Sequence, residues 1–84
     1  MSTGTATKPT GVRSAAEPEN WRKPDGDIMS CEDSIKVLRE NLREIEDMCQ
    51  EALEDAVLME VAEEQFRDVL HKLVDALHNP YNKG

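Results

Sequence analysis

The chain has 84 residues, of which 33% are charged and 38% hydrophobic, and it carries a net charge of −8. That length holds at most one small domain, and so acidic a surface repels nucleic-acid phosphates and anionic lipid heads, which excludes direct binding to either. No run approaches the roughly 18 consecutive apolar residues of a membrane span, and no apolar signal-peptide segment opens the chain, so a soluble protein in a reduced, cytoplasmic setting is expected.

Residues 1–27 hold three of the four prolines (Pro9, Pro18, Pro24) and three of the four glycines (Gly4, Gly11, Gly26). Too few large apolar groups occur there to offset the entropy of ordering the chain, so a disordered tail is expected. Lys8 and Arg13 among several Ser and Thr faintly resemble a transit peptide, but the Arg-rich amphipathic pattern is missing, and a plain disordered start is the preferred reading. Trp21, between Asn20 and Arg22 and close to Pro18 and Pro24, is the tail's one large aromatic. It is a candidate docking residue, with folding back onto the first helical turns as the alternative.

Charge is uneven along the chain. In residues 1–27 four basic residues (Lys8, Arg13, Arg22, Lys23) balance four acidic ones (Glu17, Glu19, Asp25, Asp27), so the whole net charge belongs to residues 28–84. Residues 40–64 hold ten acids against the single cation Arg43. Such a face keeps a protein in solution and also attracts a basic partner surface.

Residues 28–79 form the expected helical module: the 53 residues between Gly26 and Pro80 contain neither glycine nor proline. Ser30 followed by Asp33 approximates a capping box at its start, and His78, Asn79 and Pro80 read as its stop. Residues 80–84 should fray. With Ile28 at position a of a heptad, position a reads Ile28, Ile35, Leu42, Cys49, Ala56, Glu63, Leu70 and Leu77, and position d reads Cys31, Leu38, Ile45, Ala52, Met59, Phe66 and Leu73. Only Glu63 interrupts this apolar series, which is the pattern of helix packed on helix.

The flanking positions carry Met48, Leu53, Ala62, Val69, Val74 and Ala76 where a two-stranded coiled coil would place charge. The stripe is therefore wide enough for a bundle of three or four helices. Two arrangements satisfy it. Either the chain reverses near residues 54–60 into a helical hairpin of helices 31–55 and 60–78, or one helix spans 31–78 over about 70 Å at 1.5 Å per residue. The all-α hairpin, assembling into a coiled-coil or helix bundle, is favoured, although Asp55 is the only residue near the bend that favours a turn.

Chemistry-bearing residues are sparse. Cys31 and Cys49 lie five helical turns apart, too far for a disulfide within one straight helix, and read as small buried hydrophobes. Asp68, His71, Asp75 and His78 recur at alternating spacings of three and four, so each carboxylate stands one turn from an imidazole, workable for a divalent metal. They fall away from positions a and d, where solvent is the default, and are only weak metal candidates. No phosphate-binding glycine loop, Cys-x-x-Cys pair or nucleophile elbow occurs, so neither an enzyme nor a cofactor is expected.

The favoured function is a small acidic helical interaction module, an accessory subunit, adaptor or regulator. Leu38, Leu42, Ile45, Met59, Phe66, Val69, Leu70, Leu73 and Leu77 would be buried in a homo-oligomer or against another helical protein, one with a basic surface among the options. The alternative is a metal- or redox-responsive protein using the Asp68/His71/Asp75/His78 stripe or the two cysteines.

Overall fold

The computed structural model describes residues 14–81; the first thirteen residues, with Lys8 and Arg13 of the transit-like start, and residues 82–84 of the C-terminal fray lie outside them. Two helices, α1 (Glu32–Leu58) and α2 (Glu63–Asp75), pack against each other as a hairpin. Of the two arrangements open to the heptad pattern, the chain adopts the reversal rather than the rod.

The reversal uses no glycine. Helix α1 closes with the Val61 amide donating to the Ala56 carbonyl at 2.9 Å and the Glu60 amide donating to the Val57 carbonyl at 2.9 Å. This pair of bonds is a Schellman motif, which satisfies the last carbonyls of the helix only if the residue past its cap turns left-handed. Glu60 does so, at φ 67°, in a position where glycine is usual. Helix α2 follows from an extended Ala62, with Glu63 and Glu64 in a first turn where negative charge complements the helix dipole.

Between the helices the core is thin. Ala56, 3% exposed, is the one fully buried hydrophobic residue among those described. Its neighbours on that side of α1, Cys49, Ala52 and Leu53, are half-buried, as are Phe66 and Leu70 of α2. Small side chains at 49, 52 and 56 let the backbones approach, and Phe66 and Leu70 supply the bulk opposite them.

Both outer helix limits differ from the sequence expectation. Helix α1 begins at Glu32 with Cys31 as its cap residue and no side-chain cap bond, so Ser30 and Asp33 do not form a capping box. The reason lies just upstream, where the Met29 amide donates to the Trp21 carbonyl at 2.9 Å and Arg22 pairs with Ile28 in an antiparallel bridge. That pairing holds the chain extended, so Ser30 falls one residue too early to cap. At the other end α2 stops at Asp75, capped by Ala76, and His78 lies beyond it. Pro80 disfavours helical backbone at Asn79, whose side-chain oxygen instead accepts the Tyr81 amide at 2.8 Å.

The described part of the segment expected to be disordered carries hydrogen-bonded structure. Residues 21–29 make a miniature β-hairpin around Lys23-Pro24-Asp25-Gly26. The Gly26 amide donates to the Lys23 carbonyl at 2.8 Å, the Lys23 amide to the Asp27 carbonyl at 2.8 Å, and Gly26 takes φ 94°. A tight turn followed by a left-handed glycine is a standard hairpin solution. The Asp25 carboxylate reinforces it by accepting the Asp27 amide at 2.9 Å, and Arg22 donates to the Gly26 carbonyl at 3.0 Å.

Candidate interaction surface

The expected interaction residues divide into two groups. Leu38, Leu42, Phe66 and Leu70 are half-buried within the chain, whereas Ile45, Met59, Val69, Leu73 and Leu77 are exposed. The hairpin therefore uses part of the apolar stripe internally and leaves the rest uncovered. Thirteen large apolar side chains among the described residues are exposed, Met48 (73%), Met59 (70%) and Leu77 (70%) among them. Four of these crowd the bend itself: Val57, Leu58, Met59 and Val61.

Successive residues of an α-helix are about 100° apart, which places the exposed groups. Val37, Ile45 and Met48 fall on one side of α1, next to the strip that meets α2. On α2, Val69 and Leu73 flank Phe66 and Leu70 on the matching side. Ile45 and Met48 with Val69 and Leu73 thus edge a groove along one side of the hairpin, whereas Val37 lies beyond the end of α2 and lines a hollow with Asp33, Ser34 and Leu38. Glu44, Glu51 and Asp55 border it on α1; on α2, Lys72 stands 3.6 Å from Asp68 in an exposed ion pair.

The other side of α1 is held differently. Arg39 stands nine residues from Met48, half a turn round the helix, and its guanidinium grips the Glu17 carboxylate. Nε lies 3.1 and 3.3 Å from the two carboxylate oxygens, and Nη2 lies 3.0 Å from one of them. The Glu17 side chain is 2% exposed and that of Arg39 29%. Forked, charge-assisted bonds of this kind are strong for their number, and the Glu17 bond raises the Arg39 pKa further above its ordinary value. The pair straps residues 14–30 to α1. Trp21 within the strap is half-buried, and its indole N–H is enclosed with no acceptor among the described residues.

The residues with candidate chemistry are not gathered. Asp68, His71, Asp75 and His78 are all exposed, and among the described residues no three His, Cys, Asp or Glu side chains come together in a geometry that could hold a metal. Arg67 reaches back to Glu63 at 2.9 Å along the same helix. Cys49 is half-buried, as a small core residue would be, but Cys31 is exposed. Its position explains the difference: as cap residue of α1 it faces the free amides of the first turn. The nearby Ser34 side chain and amide lower the Cys31 thiol pKa below its ordinary value, with the Asp33 amide assisting and desolvation and the Glu32 charge opposing.

No described helix is long and apolar enough to cross a membrane. No protein-family model, curated protein or solved structure matches the chain.

Proposed function

We propose that the chain is a cytoplasmic, non-catalytic interaction module, an accessory subunit, adaptor or regulator whose helical hairpin is completed by helices of another protein or of a second copy. One observation carries the reading: among the described residues thirteen large apolar side chains are exposed while a single hydrophobic residue, an alanine, is buried. A chain of this length seldom stabilises itself on its own core and draws support from a disulfide, a metal or another chain. The two cysteines here are unpaired, which favours another chain. Contiguous exposed apolar surface flanked by charge is also the usual mark of an association site.

Sedimentation equilibrium of the full chain over a wide concentration range, with helicity read by circular dichroism on the same samples, tests the reading. A defined oligomer, or a weakly helical monomer that gains helix on meeting a partner, supports it. A fully helical monomer whose cooperative unfolding is unchanged when Leu73 or Met48 is made polar removes it.

A further inference from the structure

The groove has two features that together narrow its occupant. The first is its placement. Ile45 and Met48 of α1 and Val69 and Leu73 of α2 edge one side of the hairpin, while the Glu17–Arg39 pair straps residues 14–30 to the opposite side of α1. The strap leaves this side of the two-helix layer uncovered. A third helix laid there would complete a three-helix arrangement, in which side chains at every third or fourth position of the incoming helix enter the groove.

The second feature is charge. From Glu44 to Phe66 the sequence has nine acidic residues and neither lysine nor arginine. Glu44, Glu51 and Asp55 stand along the α1 edge of the groove, and on the α2 edge Lys72 pairs with Asp68. Two copies meeting face to face would bring acid against acid, a mismatch that opposes association, whereas lysines and arginines flanking an apolar stripe would find complementary charge. Residues 1–13 contribute Lys8 and Arg13 but only Met1 and Val12 as large apolar groups, with Pro9 and Gly11 between, too little to fill four apolar positions.

We infer that this groove docks a basic amphipathic helix of a partner protein, its apolar face on Ile45, Met48, Val69 and Leu73 and its cationic flank on Glu44, Glu51 and Asp55. The inference rests on the interaction-module reading and names the chemistry of the partner.

The probe is a fluorescently labelled peptide of about 20 residues, roughly 30 Å as a helix, with leucines at heptad a and d positions and lysines flanking them. Its binding to the full chain is followed by anisotropy. Two control peptides accompany it, one with glutamate for every lysine and one of the same composition in scrambled order. Binding of the ordered cationic peptide alone is expected, weakened about tenfold or more by Met48→Ser and by Glu51→Lys, with both variants keeping the parent's circular dichroism. Equal binding of the scrambled peptide would reduce the effect to bulk charge attraction and overturn the proposal, as would indifference to Met48→Ser. Sedimentation of the same variants separates the two levels of the argument. If the chain is a homodimer that Met48→Ser dissociates, a second copy fills the groove and the basic-partner proposal falls while the interaction module stands. If neither assembly nor peptide binding responds to Met48→Ser or Leu73→Ser, both fall.

Discussion

Arg39 and Glu17, 22 residues apart in sequence, are joined by a forked ion pair in which the carboxylate is almost wholly enclosed and the guanidinium only partly so. The pair ties an upstream segment with few apolar groups of its own to the third turn of α1. Its strength comes from geometry, because the planar guanidinium presents parallel donors to both carboxylate oxygens. Lysine offers no such fork. Arg39→Lys is therefore expected to loosen the strap although the charge is kept, and Arg39→Ala to release it. The readout is Trp21, the sole tryptophan, whose emission moves toward that of a solvated indole as the strap detaches. Limited proteolysis between residues 14 and 30 should accelerate in the same order, with the helical signal nearly unchanged because both helices lie downstream of the clip. Emission and cleavage unaffected by Arg39→Ala would show that the ion pair does not hold the strap.

The two left-handed residues give opposite predictions. Gly26 sits at φ 94° with open space where a Cβ would point, so Gly26→Ala costs only the backbone strain of that conformation, about 1–2 kcal/mol, confined to the miniature hairpin. Glu60 at φ 67° already bears that strain in the Schellman turn. Glu60→Gly should relieve it, and after the greater flexibility glycine brings to the unfolded chain about 0.5–1 kcal/mol of stabilisation should remain. Thermal unfolding followed at the helical signal checks both: Tm rises for Glu60→Gly and is little changed for Gly26→Ala, which registers instead in Trp21 emission.

These two residues also mark how much of the fold was legible in the sequence. The two-helix reversal could be read from the width of the apolar stripe between Ala56 and Val74, too broad for one seam. Its position was legible only roughly: the sequence places the reversal near residues 54–60, whereas α1 runs on to Leu58 and α2 begins at Glu63, because the motif that ends α1 uses Glu60 where glycine would have announced it. The converse holds at residues 21–29. Lys23-Pro24-Asp25-Gly26 is a turn signal with a physical mechanism, proline presetting φ and glycine accepting the left-handed position, yet low apolar content argued for disorder across the whole segment. Composition cannot register a single long-range pair such as Glu17 with Arg39, and that pair holds the segment in place. The division of the stripe into spent and open halves was equally hidden, since a heptad lists apolar positions without saying which a second helix of the same chain will cover.

Cys31 should be the more informative thiol chemically. Its pKa is lowered chiefly by the nearby Ser34 side chain and amide, so a larger fraction than usual is thiolate near neutral pH, and the thiolate is the nucleophile. In a Cys49→Ser background, alkylation by iodoacetamide should follow a titration displaced below that of an unfolded peptide of the same sequence. Ser34→Ala should move the titration back up. An unchanged profile in Ser34→Ala would mean that the helix-start amides alone account for the shift.

The buried alanine sets a limit on helix approach. Ala56→Leu adds three carbons where the two backbones close on each other, and overpacking of this kind costs about 1–3 kcal/mol. Ala56→Gly fills no new space but weakens the last turns of α1 by about 1 kcal/mol through helix propensity. If close packing at residue 56 holds the hairpin, both lower the Tm, and the leucine variant also shifts near-ultraviolet dichroism from Phe66 in the opposing helix. Tolerance of leucine would mean that the helices separate freely there.

Leu70 and Leu73 lie one turn apart on α2, the first half-buried against α1 and the second open on the groove side, so they distinguish folding from assembly. Leu70→Asp places a charge in the seam between the helices. It should unfold the hairpin and, with it, any association, a loss on the order of the 2–5 kcal/mol that accompanies removal of a core leucine. Leu73→Asp adds charge to an already hydrated side chain. Monomer helicity should be nearly unaffected, while any association through the groove is abolished. Asp68→Ala, which removes only the exposed partner of Lys72, should change stability by less than about 1 kcal/mol. Circular dichroism and sedimentation on the three variants give a definite pattern, with helix and assembly both lost for Leu70→Asp, assembly alone lost for Leu73→Asp, and neither lost for Asp68→Ala. Retained assembly in Leu73→Asp would move the association surface off the groove and toward the apolar bend at Val57, Leu58, Met59 and Val61, the other contiguous stretch of large exposed side chains on the hairpin.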